Sequence, residues 1–318
     1  MRIFFVGCVA FSRACLETLL EITRAAPDIM LVGVTTKKHS AFNADFCDLA
    51  PLCIKHQIPY HYTSNINDQE SIAFMHSCKP DVVYCFGWSA LIGQEILSHY
   101  PVIGYHPAAL PQNRGRHPII WALALGLEKS ASSFFLMDTG ADSGAILSQV
   151  PFDIAPNDTA KSLCSKVESI AKTQIQDFTM LLRNTMKEGF KSERGGGATS
   201  YHTLIASLST PQDHTCANLW RKRGARDGII DFRMSARGIY NLIRALSEPY
   251  VGAEILYQEK HYKVWEARII KVHAPNIEPG KVLRVDASGI LIKAYDDAIL
   301  CTRHTFYPLP KEGEYLYP

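Results

Sequence analysis

The residues of this chain best equipped for chemistry lie in two loops. One reads Val102-Ile-Gly-Tyr-His106-Pro-Ala-Ala-Leu-Pro111-Gln-Asn113-Arg114-Gly115-Arg116-His117-Pro118, the other Met137-Asp138-Thr-Gly140-Ala-Asp142-Ser-Gly144. An imidazole exchanges protons near neutral pH, and a carboxylate can orient such a ring and stabilise its charged form. His106 and Asp142 are thus residue types suited to proton transfer, although a lone histidine is more often structural. Arg114 and Arg116 flank Gly115, and guanidinium forks match phosphate oxygens in pairs. The alternative for both arginines is a solvated loop charge or an internal ion pair. Asp142 sits between Gly140 and Gly144, and a missing side chain lets backbone approach a ligand or turn sharply.

The surrounding pattern predicts what holds these loops. Short apolar runs at Ile3 to Val6, Met30 to Val34 and Asp81 to Phe86 alternate with helical periodicity, as at Leu16 to Ile22. That order implies parallel strands joined by crossover helices, a Rossmann-like doubly wound α/β sheet. His106 follows an apolar strand and precedes a Pro-bounded loop. It belongs at the carboxyl edge of the sheet, where open α/β folds place ligands. The turn after the first strand, Gly7-Cys8-Val9-Ala10-Phe11-Ser12, lacks the G-x-G-x-x-G that presses backbone onto a pyrophosphate, so a dinucleotide site is disfavoured.

A helix is predicted from Asp158 to Gly189, capped by Asp158 or Thr159. Leu163, Val167, Ile170, Ala171, Phe178, Leu181 and Leu182 recur at helical spacing and should face the sheet. Lys191 to Ser200 contains three consecutive glycines and reads as an interdomain linker or exposed loop. Beyond it, a helix signal at Ala236 to Ser247 precedes alternating stretches such as Tyr262 to Ala267 and Gly289 to Lys293. Asp286 to Gly289 and Asp296-Asp297 are turn-like connectors between them. The reading is an α/β domain over 1–204 and a small β-barrel domain over 205–318.

At the two loops the chain resembles the folate-dependent formyltransferases, which include methionyl-tRNA formyltransferase, glycinamide ribonucleotide formyltransferase and the sugar formyltransferases. The family motif is roughly N-x-H-x-S-L-L-P-x-x-R-G, followed at a set distance by M-D-x-G-x-D-T-G. This chain reads G-Y-H-P-A-A-L-P-Q-N-R-G and M-D-T-G-A-D-S-G. Phe86-Gly87-Trp88 matches the loop that presents backbone to the pterin in that family. Arg226 to Phe232 and Ile239 to Ala253 resemble the D-G-x-I-D-W and Y-N-x-I-R-A-x-x-x-P-Y-P-G-A run of the C-terminal domain. That second run, and the loop Ala41 to Cys47, look closest to the enzymes that formylate amino sugars on nucleotides.

The resemblance implies a Rossmann-like catalytic domain with an OB-like C-terminal barrel. It implies transfer of a formyl group from 10-formyltetrahydrofolate to the amine of a nucleotide-linked amino sugar, as in lipopolysaccharide or other surface-glycan biosynthesis. By resemblance His106 moves the proton and stabilises the oxyanion, and Asp142 assists it. Phe86, Gly87, Trp88, Asp138 and Gly140 would line the folate site. Asn113, Arg114, Gly115 and Arg116 would face substrate, and no metal is implied. One position departs: the family Asn of N-x-H is Gly104, which has no amide to offer the formyl oxygen. Asn113, His117, a backbone N–H or water could substitute; otherwise the protein is slow, or a silent folate- or nucleotide-binding protein.

The formal net charge of +2, from 33 Lys plus Arg against 31 Asp plus Glu, gives no strong field for nucleic acid. The basic run Trp220-Arg221-Lys222-Arg223 with Arg226 is a thin footprint, so methionyl-tRNA is the second reading. Nine cysteines without a C-x-x-C pair point to reduced thiols in the cytoplasm rather than a disulfide or zinc framework. The sequence has no apolar stretch of about 18 residues, so no membrane span is expected. Sugar formyltransferases are often dimers, which leaves a homodimer open.

Overall fold

The N-terminal apolar run forms β1 (Arg2–Val6) in this computed structural model, which describes residues 1–40, 45–192 and 200–316. It is followed by α1 (Ala10–Ala25), β2 (Met30–Thr36), α2 (Ala50–Lys55), β3 (Tyr60–Tyr62) and α3 (Gln69–Cys78). Then come β4 (Val82–Cys85), α4 (Gln94–His99) and β5 (Val102–His106). These five strands pair in parallel in the order β3-β2-β1-β4-β5. Ile3, Phe4, Phe5 and Val6 are all buried, as expected of a strand covered on both faces. The chain moves outward from β1 in one direction and then restarts at β4. The two neighbours β1 and β4 therefore form the switch point beyond whose carboxyl ends open α/β sheets bind ligands.

The chain continues through β6 (Arg114–Gly115) and α5 (Pro118–Ala124) to β7 (Lys129–Leu136) and β8 (Ile146–Asp153). β7 runs antiparallel to β5, with Gly104 opposite Phe135 and His106 opposite Ser133. β8 closes the seven-stranded sheet at the far edge. Next are α6 (Ala160–Ser192), α7 (Tyr201–Leu208) and β9 (Leu219–Trp220).

Helix α6 does not stop at Gly189 but continues to Ser192. Leu163, Val167, Ala171, Phe178 and Leu182 are buried, as predicted, whereas Leu181 is 48% exposed. Ile175, Gln174 and Thr179 take buried places instead. Leu181 directly precedes Leu182 and is turned about 100° away from it on a helix, so both cannot face the sheet. The three consecutive glycines, Gly195 to Gly197, and the loop residues Ala41 to Ala44 lie outside the described residues.

Two compact units are interleaved along the chain. One comprises Met1–Gly115, Ala131–Phe152 and Lys166–Leu219; the other Arg116–Ser130, Asp153–Ser165 and Trp220–Pro318. The second holds α5, which packs on α8 (Ala236–Leu246). Its sheet contains β10 (Ala253–Tyr257), β11 (Lys260–Ile270), β12 (Val282–Asp286), β13 (Gly289–Lys293) and β14 (Ala298–His304). The order is β10-β11-β14-β13-β12, antiparallel throughout. Ile290, Ile292, Ile299 and Cys301 are buried at its centre. No helix among the described residues is long and apolar enough to cross a membrane.

Candidate active site

His106 is the last residue of β5 and only 4% exposed. Its neighbour in the sheet is the end of β4, where Cys85 pairs with Gly104, so the loop Phe86 to Trp88 emerges beside it. The loop after β5 is tied down from β7 and β8. Ser133 Oγ donates to the Ala108 carbonyl at 2.6 Å, and Gln149 Nε2 donates to the Leu110 carbonyl at 3.0 Å.

Both ring nitrogens of His106 face oxygen. Nε2 donates to the Asn113 carbonyl at 2.7 Å, and Nδ1 stands 3.5 Å from Asp142 Oδ2. The second contact becomes an ion pair when the ring is protonated. Asp142 Oδ2 also accepts the Gly115 N–H at 2.9 Å, which joins the two loops.

The backbone here adopts conformations that side chains seldom take. Asn113 has φ 63°, Asp142 φ 53° and Gly115 φ 101°. Asn and Asp tolerate the left-handed region better than most residues, yet a non-glycine there still costs on the order of 1 kcal/mol or more. The sequence places conformational freedom on Gly140 and Gly144, but Asp142 between them makes the turn. Gly144 is needed for another reason: a Cβ there would stand 1.7 Å from the Leu136 carbonyl oxygen.

Gln212 holds this turn in place, and the sequence reading does not single it out. Buried at 7% exposure, it donates from Nε2 to the carbonyls of Asp142 at 2.9 Å and Gly144 at 2.6 Å. Its Oε1 accepts from Arg114 Nε at 3.1 Å and Nη2 at 2.6 Å. Arg114 also contacts His214 Nδ1 at 3.2 Å, and its backbone N–H donates to the Asn218 carbonyl. The resemblance places Arg114 toward substrate, and here its side chain has internal partners. Its guanidinium is turned inward and engaged by Gln212, the internal alternative.

Phe86 is one of the residues that the resemblance places at the folate site. Its ring lies in the core, edge-on to Phe5 and Phe134, its N–H donates to Val6 and its carbonyl accepts from Ser12 Oγ. Phe86 thus shapes the loop without a free backbone group. Gly87 follows at φ 77°. Trp88 is half-buried, with the Lys37 ammonium 4.7 Å over its ring, and its Nε1 is buried with no hydrogen-bond partner among the described residues. Asp138 Oδ1 accepts from the Gly140 N–H and Ser143 Oγ, bracing its own loop.

The space beside Gly104 is apolar. A Cβ at that position would meet Met137 Cγ at 2.7 Å and Phe135 Cζ at 2.9 Å. Of the proposed substitute donors, Asn113 uses its backbone N–H on Asn218 Oδ1 and its carbonyl on His106.

In the other unit, His117 accepts the Arg223 N–H on Nδ1 at 3.2 Å. Burial, then the charges of Arg116, Arg223 and Lys222, hold its pKa below the ordinary value. The basic run is partly engaged by Asp227: Arg221 forms a fork with its carboxylate, and Arg223 donates to its backbone carbonyl. Trp121 lies half-buried with the guanidinium groups of Arg221 and Arg223 over its ring at 5.2 and 4.8 Å.

Residues 3–178 match the formyl transferase family, and residues 224–307 match the formyl transferase C-terminal domain. The chain is 29% identical over 272 residues to the bifunctional polymyxin resistance protein ArnA of Wigglesworthia glossinidia brevipalpis, a match covering 84% of this chain and 38% of that protein. It therefore spans well under half the length of this curated relative. Its fold resembles that of WlaRD, a sugar 3N-formyl transferase solved with dTDP and 5-N-formyl-THF, at TM-score 0.60 and 18% identity over 95% of this chain and 97% of that one. It likewise resembles an N-formyltransferase from Helicobacter canadensis solved with folinic acid and dTDP-3-aminofucose, at TM-score 0.61 and 15% identity over 94% and 98% of the two chains. Since the first family match alone takes in more than half of its residues, the chain belongs to the formyl transferase family.

Proposed function

We propose that this protein transfers a formyl group from 10-formyltetrahydrofolate to the amine of a nucleotide-linked amino sugar, in the cytoplasm, as a step in surface-glycan biosynthesis. The observation that carries this reading is the His106–Asp142 pair, placed at the carboxyl edge of β5 inside the matched family region. The identity to ArnA and the full-length likeness to sugar N-formyltransferases favour a nucleotide sugar. The near-neutral charge and the engagement of Arg221 and Arg223 by Asp227 argue against tRNA as acceptor.

The formyl donor, when bound, supplies a carbonyl carbon activated by attachment to an aryl amine nitrogen. Trp88 and the backbone around Gly87 and Asp138 to Gly140 would hold it, and the orphaned indole N–H of Trp88 fits a heterocycle rich in acceptors. His106 acts through Nε2, the nitrogen turned away from Asp142: its N–H passes a proton to the departing folate nitrogen and is restored by the proton that the attacking amine sheds. To do so it exchanges its bond to the Asn113 carbonyl for one to substrate. The same Nε2–H stabilises developing negative charge on oxygen, a role that falls to it because the wall at Gly104 offers no amide. Asp142 keeps the ring oriented and stabilises its charged form. Such a proton-transfer group is worth about 100 to 10,000-fold in rate.

The test is a transfer assay with labelled 10-formyltetrahydrofolate and a panel of acceptors: nucleotide-linked amino sugars, methionyl-tRNA, and no acceptor. The reading expects label on one or more amino sugars. Label on tRNA alone, release of formate alone, or folate binding without turnover would each replace it.

A further inference from the structure

Gln212 lies 70 residues from Asp142 in sequence and 98 from Arg114, yet its amide joins the two. An amide has two N–H donors and two acceptor positions on its oxygen. All four are used: two on the Asp142 and Gly144 carbonyls, two on the Arg114 guanidinium. Arg114 is itself 9% exposed, so the clamp is sheltered from competing water. It grips the backbone on either side of Ser143, directly after the left-handed residue Asp142. A residue in that conformation persists only where its surroundings over-determine it. The carboxylate so placed meets both the Gly115 N–H and His106 Nδ1.

We propose that Gln212, anchored by Arg114, is the positioning residue that sets the Asp142 carboxylate opposite His106. Gln212 touches neither His106 nor the Asp142 carboxylate and acts only through the turn. A glutamine suits this task because one group must both donate to carbonyls and accept from a guanidinium. Glutamate can keep the Arg114 contact but has no N–H for Asp142 and Gly144. Methionine keeps the volume and loses both halves.

Native-state hydrogen exchange followed by NMR, together with steady-state kinetics, tests this on Gln212→Glu and Gln212→Met in the full chain. The reporter is the Gly115 N–H, whose acceptor is the Asp142 carboxylate itself. In both variants its exchange should quicken by about tenfold or more, while the amides of Val83 and Phe86 in the central sheet stay protected. kcat should fall by about tenfold to a hundredfold with KM for the formyl donor within about threefold, since a misplaced group loses rate before binding. Unchanged Gly115 exchange in Gln212→Met, or a uniform rise across all amides, would overturn the assignment. The kinetic part rests on the reading of His106 and Asp142 as the proton-transfer pair. Absence of transfer by the unaltered protein would count against that reading, while the exchange result, which needs no substrate, still decides the role of Gln212.

Discussion

Met137 occupies the space that a side chain at Gly104 would need, its Cγ standing 2.7 Å from where a Cβ would be built. Phe135, the cross-strand partner of Gly104, closes the same space with its ring tip. Glycine at this position is therefore matched to its neighbours. Restoring an asparagine should crowd Met137 and Phe135, lower stability by about 1–3 kcal/mol, and leave turnover level or reduced. Combining Gly104→Asn with Met137→Ala should recover part of the stability. Chemical denaturation and kinetics on both variants check this, and a large rise in turnover for Gly104→Asn alone would show that the missing amide limits the enzyme.

The folate reading makes Trp88 the natural reporter. Tetrahydrofolate or a stable formyl analogue should quench tryptophan fluorescence and raise the melting temperature by mass action. Trp88→Phe should abolish most of the quench, because the other three tryptophans lie elsewhere in the sequence. Absence of binding at millimolar folate would remove the donor assignment.

Thiol reactivity should follow burial. Desolvation pushes the thiols of Cys53, Cys85 and Cys301 up to about 12, and Cys15 is raised too. Cys216 is the exposed cysteine. A disulfide exchange reagent at pH 8 should label Cys216 first, and Cys216→Ser should remove the fast phase. Rapid labelling of Cys85 or Cys301 in folded protein would contradict the packing described for them.

Acid should loosen the fold before the carboxylates titrate. Burial lowers the pKa values of His202 and His304 below the ordinary 6.5, and burial with nearby cations lowers His117. With the folded value depressed, the unfolded chain binds protons first, so stability is fully present above 6.5 and declines as pH falls below it. Lowered carboxylates such as Asp227 and Asp231 act only in a more acid range. The melting temperature should fall between pH 7.5 and 5.5, and by less in the double variant His202→Gln with His304→Gln. An equal fall in that variant would assign the lability elsewhere.

Local patterns foretold the strands, the crossover helices and the edge on which His106 sits, because period and turn chemistry act over short stretches. The motif likewise paired His106 with Asp142 across the two loops. What the sequence hid was long-range partnership. Arg114 meets Gln212, and nothing in the spacing of Pro211-Gln212-Asp213 announces that meeting. Phe86 reads as part of a loop that offers backbone to folate, and only the fold shows that its ring is buried against Phe134. Glycines flank Asp142 and invite a glycine turn, whereas the left-handed residue is the aspartate, locked by contacts from a distant segment.

The central claim, that His106 moves the proton during formyl transfer, is tested most directly by single-turnover transfer from 10-formyltetrahydrofolate to a nucleotide-linked amino sugar. The unaltered protein and His106→Asn are compared side by side, with circular dichroism and folate affinity as controls. The account predicts that the variant folds, binds folate, and transfers at least about 100-fold more slowly. A folded, folate-binding His106→Asn protein that transfers at close to the unaltered rate would contradict it.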